Sequence, residues 1–266
     1  MNKIPLSLAL FFACTAAFAQ EVARGIVTIT TRPGVTQSFF VAGMGEVKPQ
    51  AVALIYSGGH GTIQLRMEDG QPKFQGGNFL IRSRRELIRN AVLPVLVDVP
   101  SDERTGVPDT YRRSDKQVAD TRAMLAEVRK RIPDLPIFIV TTSRSTLSGA
   151  YLGRALGAEE IAGVVLTSSM AVPGHGWESL AGFDFKSVKT PLLFVHHRSD
   201  GCQATPYSAL ARLAQGFTLI SVKGGKPPES GPCDPLAPHG YLGKEAETVD
   251  AIAAWMLKKP FATEIE

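Results

Sequence analysis

The sequence predicts an α/β fold in which a mostly parallel, twisted sheet lies between two layers of helices. Two observations carry this. Several short apolar runs, among them Ala51–Tyr56 and Val92–Val99, lack the polar alternation of a half-exposed strand and suit strands buried on both faces. Segments with apolar residues at helical spacing lie between such runs, and strands that alternate with helices join through right-handed crossovers into a parallel sheet. Ligands bind these sheets beyond the carboxyl ends of the strands. The residues just after each run are therefore the ones to inspect.

At 266 residues and 44% apolar content, the chain can build one large domain with an ordinary core. Its first nineteen residues read as a secretory leader: the Lys3 charge, an apolar stretch from Ile4 to Ala13, and small residues at Ala17 and Ala19 before a cut preceding Gln20. That stretch is too short to span a bilayer. Residues 20–266 are expected to be a single exported domain, periplasmic or secreted, with no membrane span. Phe11 and Phe12 give Cys14 a poor context for lipid attachment.

Ile26–Thr30 and Gln37–Val41, separated by Pro33-Gly34, predict an opening hairpin. The buried strand Ala51–Tyr56 follows and runs into Ser57-Gly58-Gly59-His60-Gly61, where missing side chains let backbone amides approach a ligand. Ser83 to Ala91 reads as a helix, Val92–Val99 as a strand, and Ser114 opens a long amphipathic helix to Arg131 with Val118, Met124, Leu125 and Val128 on its apolar face. The strand Ile137–Val140 leads to an abrupt turn at Thr142-Ser143-Arg144 and a helix of small residues reaching about Leu156. Strands at Ile161–Thr167, Pro191–His196 and Phe217–Val222 follow, with helices at about 205–214 and 243–257.

The turn around Ser143 holds a hydroxyl above the sheet edge, although Ser and Thr also gather at helix starts simply to cap them. Serine attacks poorly unless an imidazole takes its proton and a carboxylate fixes the tautomer of that imidazole. Asp200 follows the strand ending at His196, and His239 opens the last helix, so the order is Ser143, Asp200, His239. Ser145 is the other candidate nucleophile, with Leu147 then in a position that calls for a small residue. Asp98 and Asp102 are the other candidate acids. The exported chain would keep two cysteines, Cys202 and Cys233, which are expected to pair. The bridge would close a loop of about thirty residues, worth roughly 3.5 kcal/mol in the chain-entropy model, and would tie the acid loop to the histidine loop.

In strand and helix order, in the glycine-rich loop after an early strand, in the strand-turn-helix around Ser143 and in the positions of Asp200 and His239, the chain resembles the α/β-hydrolase superfamily. The resemblance implies a three-layer sandwich, with Ser143 as nucleophile, Asp200 as orienting acid and His239 as general base. It also implies an oxyanion hole from the Arg144 amide and an amide of Gly59 or His60. Thr141 and Ser145 depart from the pattern, standing where the nucleophile turn normally carries glycines.

The expected activity is hydrolysis of a carboxylic ester through an acyl-enzyme. The same machinery could serve an acyltransferase or peptidase, and the fold could also serve a non-catalytic binding protein. The segment from Ser168 to Pro191 is too short for a large lid domain, which suits a small-molecule ester. His175 and Trp177 are candidate substrate contacts, while Phe183 and Phe185 fit a pocket or the core equally well. No cofactor is expected. Nor is a metal, because His196 and His197 are adjacent on a strand end and point to opposite faces. Arg82, Arg84, Arg85 and Arg89 read as a solvated helix face without interleaved aromatics, so nucleic acid is not an expected partner.

Overall fold

The computed structural model describes residues 24–266, so the expected leader lies outside the described residues. Among the described residues eleven strands form: β1 (Gly25–Arg32), β2 (Val35–Val41), β3 (Ala51–Tyr56), β4 (Arg66–Glu68), β5 (Gln71–Lys73), β6 (Val92–Pro100), β7 (Ile137–Thr142), β8 (Gly163–Thr167), β9 (Leu192–His197), β10 (Thr218–Val222) and β11 (Glu264–Ile265). All but β4 and β5 join one sheet in the order β1-β2-β6-β3-β7-β8-β9-β10-β11. The pairs β1–β2 and β2–β6 are antiparallel, and every other pair is parallel.

The period-2 alternation of strands decides which core each side chain enters. In β3, Val52, Leu54 and Tyr56 face one cluster, while Ala51, Ala53 and Ile55 face the other. Helices α4 (Asp115–Arg131), α5 (Thr146–Ala155) and α6 (Tyr207–Leu213) cover the first face through residues such as Met124, Leu147 and Leu210. Helices α1 (Phe79–Arg82), α2 (Arg84–Arg89) and α7 (Glu245–Met256) cover the second through Phe79, Leu87 and Ile252. A further short helix, α3 (Asp109–Arg112), precedes α4. The sheet is thus sandwiched as the apolar runs predict.

The helix expected from Ser83 to Ala91 is α2, Arg84–Arg89, and a further short helix, α1, precedes it and ends at Ser83. Burial of Phe79, Leu80 and Ile81 fixes α1, and the Asn78 side chain caps it by accepting the Leu80 amide at 3.1 Å. Val118 is only half-buried, whereas Met124, Leu125 and Val128 form the core face of α4. The hairpin β4–β5 turns at Asp69-Gly70, an Asp-Gly signal that its exposed, polar strands disguise.

At the turn after β7, the two departures from the glycine pattern are accommodated by hydrogen bonding and by a space elsewhere. The Thr141 hydroxyl donates to the Val165 carbonyl at 3.0 Å, and its side chain fills the place a Cβ on Gly149 would take, 2.7 Å from Thr141 Oγ1. The Ser145 hydroxyl accepts the Thr142 amide at 2.9 Å and directs its proton between the Tyr56 and Thr142 carbonyls, each 2.8 Å away. Ser145 is thereby consumed in holding the turn.

Candidate active site

Ser143 sits immediately after β7 with a φ of +53°, a left-handed conformation that is costly for a residue with a Cβ. The turn lifts its side chain off the strand end and into a cleft of about 280 Å³. Ser57 to His60, Thr62, Gln75, Asn78, Phe79, Cys233, Asp234, Pro235 and His239 share that cleft with it.

His239 Nε2 lies 3.0 Å from Ser143 Oγ, and His239 Nδ1 lies 2.9 Å from Asp200 Oδ2. An ionised carboxylate only accepts, so the proton of this imidazole is on Nδ1 and Nε2 offers its lone pair to the serine hydroxyl. The hydroxyl, imidazole and carboxylate expected from three separate loops therefore meet in one chain of hydrogen bonds. Such a chain can pass a proton from serine to histidine while the carboxylate stabilises the imidazolium.

The neighbours of Asp200 escaped the sequence reading. Its Oδ1 accepts the Cys202 amide at 3.0 Å, and its Oδ2 accepts the Thr205 hydroxyl at 2.9 Å. His196 Nε2 lies 3.4 Å from the same Oδ2 and donates to the Thr205 carbonyl at 2.7 Å. Burial opposes the charge of Asp200, but the hydrogen bonds from His196 and His239 more than offset it and hold the carboxyl well below the usual carboxylate range. The Ser168 hydroxyl donates to the His239 carbonyl at 2.7 Å and fixes that backbone. Ser168 directly follows β8 and His196 lies near the end of β9, whereas Thr205 carries no such signal.

The other candidate acids have different duties. Asp98 accepts the amides of Ile63, Leu65 and Val99 and shapes the loop after β3, while Asp102 pairs with Arg32. His197 points away from His196 and contacts the Gly224 carbonyl at 3.1 Å. The disulfide joins Cys202 to Cys233, placing the Asp200 loop against the wall of the cleft.

The amides expected to bind an oxyanion lie on two sides of Ser143. Arg144 is the middle residue of the 3₁₀ turn Ser143–Ser145 that leads into α5. Gly59 and His60 line the cleft, and their amides have no internal acceptor among the described residues. A Cβ on Gly58 would lie 3.0 Å from the Thr142 carbonyl and 3.1 Å from Ser143 Cβ, so glycine there permits the close approach of the two loops.

His175 and Trp177 do not line this cleft. His175 is exposed, and the Trp177 indole donates to the Val172 carbonyl at 3.0 Å while its ring packs beside Met170, Cys202 and Ala204. Phe183 and Phe185 belong to an aromatic cluster with Tyr151, Phe194 and Phe217 and serve the core.

The architecture recurs in solved structures. A lidless α/β serine hydrolase from Xanthomonas campestris matches with a TM-score of 0.56 and 15% identity, over 88% of this chain and 94% of that one. Est1E from Butyrivibrio proteoclasticus, with ferulic acid bound, matches with a TM-score of 0.58 and 12% identity, over 88% and 98%. The chain has the α/β-hydrolase fold. An α/β serine hydrolase homologue from Coxiella burnetii matches with a TM-score of 0.54 and 11% identity, over 88% and 96%. No protein-family model and no curated protein sequence matches the chain. Between β8 and β9, where an α/β-hydrolase fold can carry extra elements, the chain has one short turn of helix at Phe185–Ser187 and no lid domain.

Proposed function

We propose that the protein is an exported serine hydrolase that cleaves small carboxylic esters through an acyl-enzyme. The observation that carries this reading is the continuous chain from Ser143 Oγ through His239 to Asp200, at 3.0 and 2.9 Å, opening on a cleft. Ser143 Oγ attacks the ester carbonyl carbon as its proton moves to His239 Nε2, and Asp200 stabilises the imidazolium. The carbonyl oxygen, now an oxyanion, is held by the Arg144 amide and an amide of the Gly59–His60 segment. Collapse of the tetrahedral intermediate expels the alcohol, which takes the proton from His239. Water, deprotonated by the same imidazole, then releases the acid.

The cleft supports a small and soluble substrate. Thr62, Gln75, Asn78 and Asp234 give it polar walls beside Phe79 and Pro235, and its volume suits a short acyl group. Export is supported by the Cys202–Cys233 disulfide, which persists in oxidising compartments, and by the leader pattern of the sequence.

The test is hydrolysis of p-nitrophenyl acetate, butyrate and palmitate by the wild type and by Ser143→Ala. The acetate and butyrate esters should be cleaved and the palmitate poorly, with activity abolished in the variant. Equal activity in Ser143→Ala would overturn the proposal. Adding an acceptor alcohol and finding the transferred ester as the main product would redirect the reading to an acyltransferase.

A further inference from the structure

Arg112 is the largest fully buried side chain among the described residues, 2% exposed, and it lies beneath the loop that follows β3. Its Nη2 donates to the Gly59 carbonyl at 2.8 Å. Two further carbonyls of that loop are also tethered: Gly58 O accepts the Gly61 amide at 3.0 Å, and His60 O accepts the Val107 amide at 2.9 Å. Gly59 and Gly61 take φ values of +58° and +84°, which let the chain curl tightly enough to do this. A peptide unit is planar and trans here, so tethering the Gly59 carbonyl turns the His60 N–H the opposite way.

The same guanidinium belongs to a polar chain that reaches the other side of the site. Arg112 Nε lies 3.7 Å from Asp109 Oδ1, and Asp109 takes two hydrogen bonds from the Arg144 side chain at 2.7 and 2.9 Å. Arg144 Nη2 also donates to Gly176 O, and Asp109 accepts the Glu178 amide, which anchors the chain to the loop after β8. The residue after Ser143 is therefore linked through Asp109 and Arg112 to the Gly59–His60 peptide. Arg112 Nε has no hydrogen-bond partner among the described residues, and the side chain lines a cavity of about 20 Å³ with Gln37 and Gln117, with room for one water. Burial pulls the guanidinium down to about 10, with Asp109 opposing that fall, so it stays charged at neutral pH.

We propose that Arg112 is a positioning residue for transition-state binding: it aims the His60 amide at the oxyanion site and polarises it. This rests on the hydrolase reading above and selects His60 as the donor opposite Arg144. A cation bonded to the carbonyl of an amide draws charge from the N–H on its far side, strengthening that group as a donor. Arg112 touches no substrate, so its effect should appear where negative charge develops on the substrate oxygen and not in ground-state affinity.

The experiment measures ester hydrolysis and inhibition by an alkyl boronic acid, a tetrahedral mimic, for the wild type, Arg112→Lys, Arg112→Gln and Arg112→Ala, with folding checked by circular dichroism. Each folded variant should lose at least about tenfold in kcat with KM within about twofold, and boronic acid affinity should fall by a similar factor. Millimolar guanidinium should restore kcat in Arg112→Ala and leave the wild type unchanged. Arg112→Lys, which keeps the charge but not the planar fork, carries the same expectation if the smaller side chains do not fold. Folded variants with wild-type kcat and boronic acid affinity, or with a raised KM alone, would overturn the proposal. A wild type that neither hydrolyses esters nor reacts with a fluorophosphonate would overturn the hydrolase reading itself.

Discussion

Asp200 Oδ2 is shared by His239, Thr205 and His196, and each makes a separable contribution. Removing the carboxylate charge with Asp200→Asn frees the imidazole to take the wrong tautomer, and kcat should fall by about 10⁴-fold. Thr205→Val deletes one hydroxyl donor to a charged acceptor, an interaction worth about 1.5–3 kcal/mol, and should lower kcat about tenfold or more with little change in KM. Steady-state kinetics on a short-chain p-nitrophenyl ester would check both. His196 carries a proton on Nε2, because the Thr205 carbonyl can only accept. Such helpers are hard to read from a sequence. Ser143, Asp200 and His239 stand out because the chemistry needs those residue types after those strands, whereas Thr205 matters only because the chain folds back over Asp200.

At the scale of elements, the turn between β7 and α5 depends on a space created inside the helix. A Cβ on Gly149 would lie 2.6 Å from Leu166 Cδ2 and 2.7 Å from Thr141 Oγ1. Gly149→Ala should therefore destabilise the protein by about 1–3 kcal/mol despite the better helix propensity of alanine. Adding Thr141→Ala should recover part of the loss, and a double-mutant cycle from denaturant unfolding would measure the coupling. The strand and helix order was legible because β3, β6, β7, β8 and β9 are buried on both faces and carry uninterrupted apolar runs. The exposed hairpin β4–β5, the two-residue edge strand β11 and the break at Ser83 leave no such pattern, being set by pairing and packing with distant residues. Trp177 was misleading for a related reason. Its neighbourhood is fixed by the fold of the loop after β8 and not by its own sequence context.

For the whole molecule, the Cys202–Cys233 bridge spans a sequence separation of 31 residues. Its reduction should lower unfolding stability by about 3.5 kcal/mol in the chain-entropy model, and should also lower activity because Asp200 and the cleft wall move with it. Acid should act through His197 and through carboxylates held low in the fold, all with the same sign. Burial pushes His197 below the ordinary imidazole value, so the unfolded chain binds its proton first and stability declines as pH falls below about 6.5. Asp200, held low in the fold, contributes stability that is complete above about pH 4 and is lost as pH falls through its folded value. Melting temperatures from pH 8 to 2 should thus fall in two stages, with His197→Gln flattening the upper and Asp200→Asn weakening the lower, to which Asp102 and Asp109, also held below the usual carboxylate range, contribute. The chemistry rests on one serine activated by His239. Labelling with a fluorophosphonate, followed by peptide mass mapping, tests that directly. The expected result is a single adduct on Ser143, abolished in Ser143→Ala and sharply slowed in His239→Ala. An adduct on Ser145, or labelling that persists in Ser143→Ala, would contradict it.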